Sequence, residues 1–212
     1  MRTVCIVQAR MGSSRLPGKV LLPLNGKTVI GEVLTRCKRI PGVDEVVCAI
    51  PVSKENDKLA CEAARYVRLY NWSGEENDVL GRYWGAAKFF EARTIVRVTG
   101  DCPLISPELC GEVIRKLHSE RADYASNIEP RTFPKGLDCE AFTILTLRQA
   151  NHEANPNERE HVTTWMRRAD IKRVNVASPW PIDGRMTLDT EADYQAIRAA
   201  FGHEPRKRLR AA

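Results

Sequence analysis

Short β-branched runs alternate with stretches of helical periodicity along most of this chain. Thr3–Val7 (TVCIV) reads as a fully buried strand. From Thr28 to Ile40 the apolar positions Val29, Ile30, Val33, Leu34, Cys37 and Ile40 recur at helical spacing, and Pro41-Gly42 closes the run. Glu45–Ile50 predicts a second buried strand, and Lys54–Tyr66 an amphipathic helix. Val67–Tyr70 predicts a short strand, Asp78–Glu91 a helix and Thr94–Val98 a fourth strand. Ser106-Pro107 has the form of a helix start, with Leu109, Val113, Ile114 and Leu117 as its core face.

Strand and helix in alternation imply right-handed βαβ units and a mainly parallel sheet. Beyond residue 122 the pattern is less regular. Strands are expected at Asp123–Ser126, Leu137–Phe142, Lys172–Val176 and Arg185–Leu188, and helices at Leu145–Glu153, Glu158–Ala169 and Glu191–Phe201. No repeat or linker divides the chain. One α/β domain over residues 1–203, with a small late elaboration and a basic, frayed tail at 204–212, is the reading that follows.

Composition narrows the class. The chain has 212 residues, 43% hydrophobic and 28% charged, enough to bury a core without staples. No apolar run reaches the roughly 20 residues that span a bilayer, and MRTVCIVQAR is too short and too soon charged for a signal peptide. A cytoplasmic protein away from membranes is expected. Seven cysteines are scattered without zinc-site spacing and read as buried thiols. The net charge of +6 is concentrated at the end, where Arg206, Lys207, Arg208 and Arg210 fall in the last seven residues, so no nucleic-acid partner is expected.

Ligands of open α/β sheets bind beyond the carboxyl ends of the strands, so the loops after the first and fourth strands carry the interest. The first is Gln8-Ala9-Arg10-Met11-Gly12-Ser13-Ser14-Arg15-Leu16-Pro17-Gly18-Lys19. Its glycines let backbone N–H groups converge on an anion, and its arginines and lysine suit a triphosphate. A solvated basic turn is the blander alternative. It is neither a P-loop, because five residues separate Gly12 from Gly18-Lys19 and Val20 replaces the hydroxyl, nor a GxGxxG fingerprint.

The second is Arg97-Val98-Thr99-Gly100-Asp101-Cys102-Pro103-Leu104-Ile105. Asp101 is placed either to hold Mg²⁺ against phosphates or to cap a turn. Asp189 also follows a β-like run; on residue physics alone it caps the helix starting near Thr190.

QARMGSSRLPGKVLLPLNGKTVI, DVLGRYWGAAK, TIVRVTGDCPLISP, DYASN, FPKGLDCEAF, REHVT and LDTEADY follow one another in that order. Together they resemble the spore-coat polysaccharide (SpsF-type) family of cytidylyltransferase-like proteins, related to the CMP-KDO and CMP-N-acylneuraminate synthetases. The resemblance covers about residues 3–197. It implies a GT-A-like nucleotidyltransferase fold and the transfer of a nucleotide, CMP from CTP, to a sugar with loss of pyrophosphate, for polysaccharide or glycan assembly. Carried over, Gln8, Ala9, Arg10, Gly12, Ser13, Ser14, Arg15, Lys19 and Gly100 bind the nucleotide. Arg15, Lys19 and Asp101 are catalytic, and Asp101 and Asp189 share Mg²⁺. Ser73 and Gly74 lie where relatives read the base, although Asn71-Trp72-Ser73-Gly74 departs from their pattern.

For the sugar, Lys135, Asp138, Glu140, Arg159 and His161 are candidates, with Asp138 and Glu140 expected on one strand face. An exposed charged strand and a structural histidine are the bland readings. Catalysis would rest on positioning and charge neutralisation, and no residue stands out as a general base. Homodimers are common among the related synthetases. The alternatives are a nucleotidyltransferase using another NTP and a sugar phosphate, or a nucleotide-binding module without turnover.

Overall fold

A computed structural model describes residues 2–203; the expected basic tail lies outside the described residues. β1 (Thr3–Gln8), β4 (Glu45–Pro51), β5 (Arg68–Trp72) and β6 (Thr94–Thr99) form the parallel half of a seven-stranded sheet of order β5-β4-β1-β6-β8-β7-β9. β8 (Glu140–Thr143) is antiparallel to both β6 and β7 (Tyr124–Ser126), while β7 and β9 (Arg173–Asn175) pair in parallel. Only β8 is reversed, so the sheet is mainly parallel, as the βαβ pattern implies. β2 (Pro23–Leu24) and β3 (Lys27–Thr28) form a separate hairpin that the periodicity does not predict. Its turn, Asn25-Gly26, has positive φ at both residues (50° and 74°), the geometry this dipeptide favours.

Strand alternation sorts the core into two faces. Cys5, Val7, Cys48, Ile50, Val96 and Val98 pack against α1 (Val29–Cys37), α2 (Asp57–Ala64) and α4 (Pro107–Ser119). Val4, Ile6, Val47, Ala49 and Ile95 pack on the opposite side against α3 (Val79–Phe89) and α5 (Ile144–Glu153), beyond which Trp165 of α7 (Thr164–Arg168) is buried. A third cluster of Leu24, Val29, Leu188, Tyr194, Ile197 and Phe201 docks α8 (Glu191–His203) on the hairpin. Burial of these side chains, at roughly 1.5–3 kcal/mol each, drives the packing.

Local chemistry sets the ends of the helices. Thr28, Asp78, Ser106 and Thr143 each accept a bond from the N–H three residues on, which satisfies donors at the starts of α1, α3, α4 and α5.

Four expectations differ from the structure. The helix expected at Glu158–Ala169 is two short ones, α6 (Pro156–Arg159) and α7, broken at Val162, whose φ is 57°. A capping box between Asn155 and Glu158 starts α6 before the expected position. Arg185–Leu188 forms no strand ladder: Arg185 makes an isolated bridge to Lys135, and the Leu188 N–H donates to the Asp101 carbonyl at 2.9 Å. The strand expected at Leu137–Phe142 begins only at Glu140. Six of the seven free cysteines are buried, but Cys61 on α2 is exposed.

Candidate active site

A cleft of about 440 Å³ opens at the carboxyl ends of β1 and β6. The loop after β1 forms one wall. The Met11 N–H donates to Asn56 Oδ1 at 2.8 Å, and the loop closes where the N–H of left-handed Gly18 meets the Met11 carbonyl at 3.3 Å. That closure starts the 3-10 turn Lys19–Leu21 and aims Lys19 inward.

Lys19 Nζ donates to Asp101 Oδ2 at 2.7 Å, to Asp189 Oδ1 at 2.8 Å and to the Leu188 carbonyl at 2.6 Å. Residues far apart in sequence therefore converge on one ammonium. Arg15 Nη2 lies 3.0 Å from Asp189 Oδ1, and Arg185 bonds Asp189 from the other side. Burial would lower the Lys19 pKa, but its bonds to Asp101 and Asp189 raise it above 10.5. Burial likewise pushes Asp189 up, yet Lys19, Arg15 and Arg185 bring it below 3.8.

Asp189 does not cap α8. Thr190 does, with Asp193 in a reciprocal arrangement: Asp193 N–H donates to Thr190 Oγ1 at 3.2 Å and Thr190 N–H to Asp193 Oδ2 at 2.8 Å. The Asp189 side chain is thereby left to the cleft, and the capping alternative for it falls. Gly100 lets the two loops meet, since a Cβ there would lie 3.0 Å from both the Ala9 Cβ and the Gln8 carbonyl oxygen.

Gln8, Ala9, Arg10, Gly12, Ser13, Ser14, Arg15, Lys19, Gly100, Asp101, Asp138, His161 and Asp189 all line the cleft. Arg10 is held by Glu76 at 3.1 Å and Asn77 at 3.0 Å, with Glu160 at 3.6 Å. Asp138 is clamped by both terminal nitrogens of Arg131, at 2.7 and 2.8 Å.

Other expected residues lie elsewhere. Glu140 is 1% exposed and bonds Arg97 and Tyr124, so it sits behind the cleft wall and does not share a strand face with Asp138, which precedes β8. Arg159 is spent on Asp78, at 2.8 and 3.1 Å, and on Asn151, tying α6 to the start of α3. Lys135 is exposed outside the cleft, and its backbone pairs with the 184–186 segment. Ser73 and Gly74 lie beyond β5, where the Trp72 ring covers Gly74 so closely that a Cβ would come within 2.2 Å of it.

The cleft also contains Arg97 and Thr99 from the run that leads into Asp101, and Arg82, Glu160 and Thr187, to which the sequence reading gave no role. A signal existed for the two arginines. Arg97 interrupts the apolar run TIVRV, and Arg82 falls between Val79 and Ala86 on the buried stripe of α3.

The family model for cytidylyltransferases matches residues 4–211. The chain belongs to the cytidylyltransferase family. It is 29% identical over 208 residues to the spore coat polysaccharide biosynthesis protein SpsF of Bacillus subtilis, covering 92% of this chain and 85% of that one. It is 35% identical over 136 residues to the 3-deoxy-manno-octulosonate cytidylyltransferase of Sodalis glossinidius, covering 62% and 52%. A solved cytidylyltransferase from Leptospira borgpetersenii superposes with a TM-score of 0.91 at 31% identity, covering 96% of this chain and 88% of that one. The cytidylyltransferase is therefore an α/β nucleotidyltransferase enzyme, and among the described residues no helix is long and apolar enough to cross a membrane.

Proposed function

We propose that the cleft transfers CMP from CTP to a sugar hydroxyl, with Mg²⁺ as cofactor. The observation that carries this is the meeting of Lys19 with Asp101 and Asp189, at 2.7 and 2.8 Å, beside Arg15. Two carboxylates aimed at one cationic point are the donor set that Mg²⁺ takes when substrate phosphates complete its shell. Asp101 and Asp189 fit that role and would hold the ion. When bound, it would neutralise phosphate charge and make the attacking hydroxyl more acidic.

The chain's own groups do the rest. Ser13, Ser14, Arg15 and the loop backbone orient the triphosphate. Lys19, released from the carboxylates, donates to the phosphate oxygens. The sugar oxygen then forms a bond to the α-phosphorus as the bond to the bridging oxygen breaks. Pyrophosphate departs, and the hydroxyl proton goes to water. Fixed cations aimed at the charge of the transition state contribute several kcal/mol to such a step.

The assay is pyrophosphate release from CTP, UTP, GTP and ATP across a panel of sugars, with and without Mg²⁺. Release with CTP, lost in Asp101→Asn, supports the reading. Release with another nucleotide moves the base preference, consistent with Trp72 covering Gly74. CTP bound without release would favour a binding module.

A further inference from the structure

α3 carries one charge into its buried face. Arg82 is 1% exposed, set among Val79, Tyr83 and Ala86, yet it reaches the cleft wall. Its Nη2 makes one long contact, 3.4 Å to the Glu76 carbonyl, while Nε and Nη1 have no partner. Among the described residues, Arg10, Arg15, Lys19 and Arg97, the other basic side chains lining the cleft, each have a carboxylate within 4.0 Å. Arg82 has none. Burying a charge without a counter-ion is costly, so this cation is waiting for an anion that the protein does not itself provide.

Its position says which ligand would bring one. The turn bearing Lys19 packs through Val20 on the sheet face of Cys5 and Val7. Arg82 belongs to the helix on the face of Val4 and Ile6. The two cations thus meet the cleft from opposite faces of β1. In an in-line displacement the attacking and leaving oxygens lie on opposite sides of the phosphorus. If pyrophosphate leaves at Arg15 and Lys19, as in the transfer proposed above, an acceptor in line with it would enter from the Arg82 side. Gln8 Oε1 and Arg97 Nε, also buried and unpartnered, belong to residues lining the cleft as well.

We infer that Arg82 is a specificity-determining residue that binds an anionic group, a carboxylate or a phosphate, on the acceptor sugar. The assignment to an acceptor rests on the transfer proposed above. A neutral sugar would leave the cation unpaired in the filled cleft and so would bind less well.

The test compares wild type with Arg82→Met, which keeps the length of the side chain without its charge, and with Arg82→Lys. Thermal midpoints are measured without ligand, with saturating CTP and Mg²⁺, and then with acetate or inorganic phosphate added to that complex against chloride of equal ionic strength. Arg82→Met is expected to melt no lower than wild type and to keep the CTP shift. It should lose at least about tenfold in the affinity of the nucleotide complex for the added anion, with Arg82→Lys in between. A response to acetate or to phosphate identifies the group. No anion response in wild type beyond that of chloride overturns the inference. So does an Arg82→Met protein that melts several degrees lower with its anion response intact, since that marks a structural arginine. A lost CTP shift in Arg82→Met assigns the cation to the nucleotide instead. If CTP fails to shift even the wild type, it is the transfer reading that falls.

Discussion

At the scale of single residues, the cleft depends on charges whose partners come from distant parts of the chain. Lys19 holds Asp101 and Asp189 together, so Lys19→Met should cut pyrophosphate release by about 10² or more, by analogy with removing one transition-state donor, and should lower the thermal midpoint. Behind the wall, Glu140 compensates Arg97. Glu140→Gln leaves that guanidinium buried and underpaired, and a loss near 3 kcal/mol in a urea titration is expected.

Asp189 gives a pH signature. Its folded pKa lies below 3.8, so its stabilisation is present above that value and disappears as pH falls through the lower folded value. The stability gap between wild type and Asp189→Asn should therefore be constant near neutrality and narrow below pH 3.8; a gap that widens in acid would contradict the ion pairs. The sequence shows that Arg97 and Arg82 are charges at apolar positions. It does not show that one has a partner and the other lacks one, because pairing is decided by strands and helices that only the fold brings together.

At the scale of elements, positions fixed by local chemistry were the legible ones. Ser106-Pro107 opens α4 as its cap predicts, and the buried strands lie within a residue or two of their apolar runs. Elements defined by tertiary contact were not. The 184–186 segment can bond the backbone of Lys135 because Gly136 lets Met186 approach: a Cβ at Gly136, whose φ is 101°, would sit 2.4 Å from the Met186 carbonyl carbon. No periodicity encodes that contact. The break at Val162 was hidden too, since a β-branched residue with positive φ is held by its surroundings and not by its own preference.

Thr190 illustrates how a helix end serves the cleft. By capping α8 it frees Asp189, so Thr190→Ala should lower stability by about 1 kcal/mol and also weaken Mg-dependent nucleotide binding. A stability loss with unchanged binding would show that Asp189 is held by Lys19 and the arginines alone.

At the scale of the whole molecule, alternating buried strands and amphipathic helices led directly to a mainly parallel sheet. The rule that ligands bind beyond strand ends then led to the loops after β1 and β6. The reversal of β8 and the late approach of Asp189 were beyond that rule, because both follow from the irregular stretch after residue 122. The resemblance to cytidylyltransferases supplied Asp189 as a second carboxylate before any geometry did, whereas its placements of Arg159 and Glu140 near a sugar put them where structural ion pairs now lie.

The central claim is that Lys19, Asp101 and Asp189 form a metal-dependent nucleotide site. The most direct measurement is the thermal midpoint with each of CTP, UTP, GTP, ATP and dTTP, with and without Mg²⁺, in wild type and Asp101→Ala. A ligand at about 100 times its dissociation constant adds roughly 2.7 kcal/mol, which is readily visible as a shift. A Mg²⁺-dependent rise with CTP that is absent in Asp101→Ala is the expected result. A wild-type midpoint that no nucleotide moves, with or without Mg²⁺, would contradict that claim.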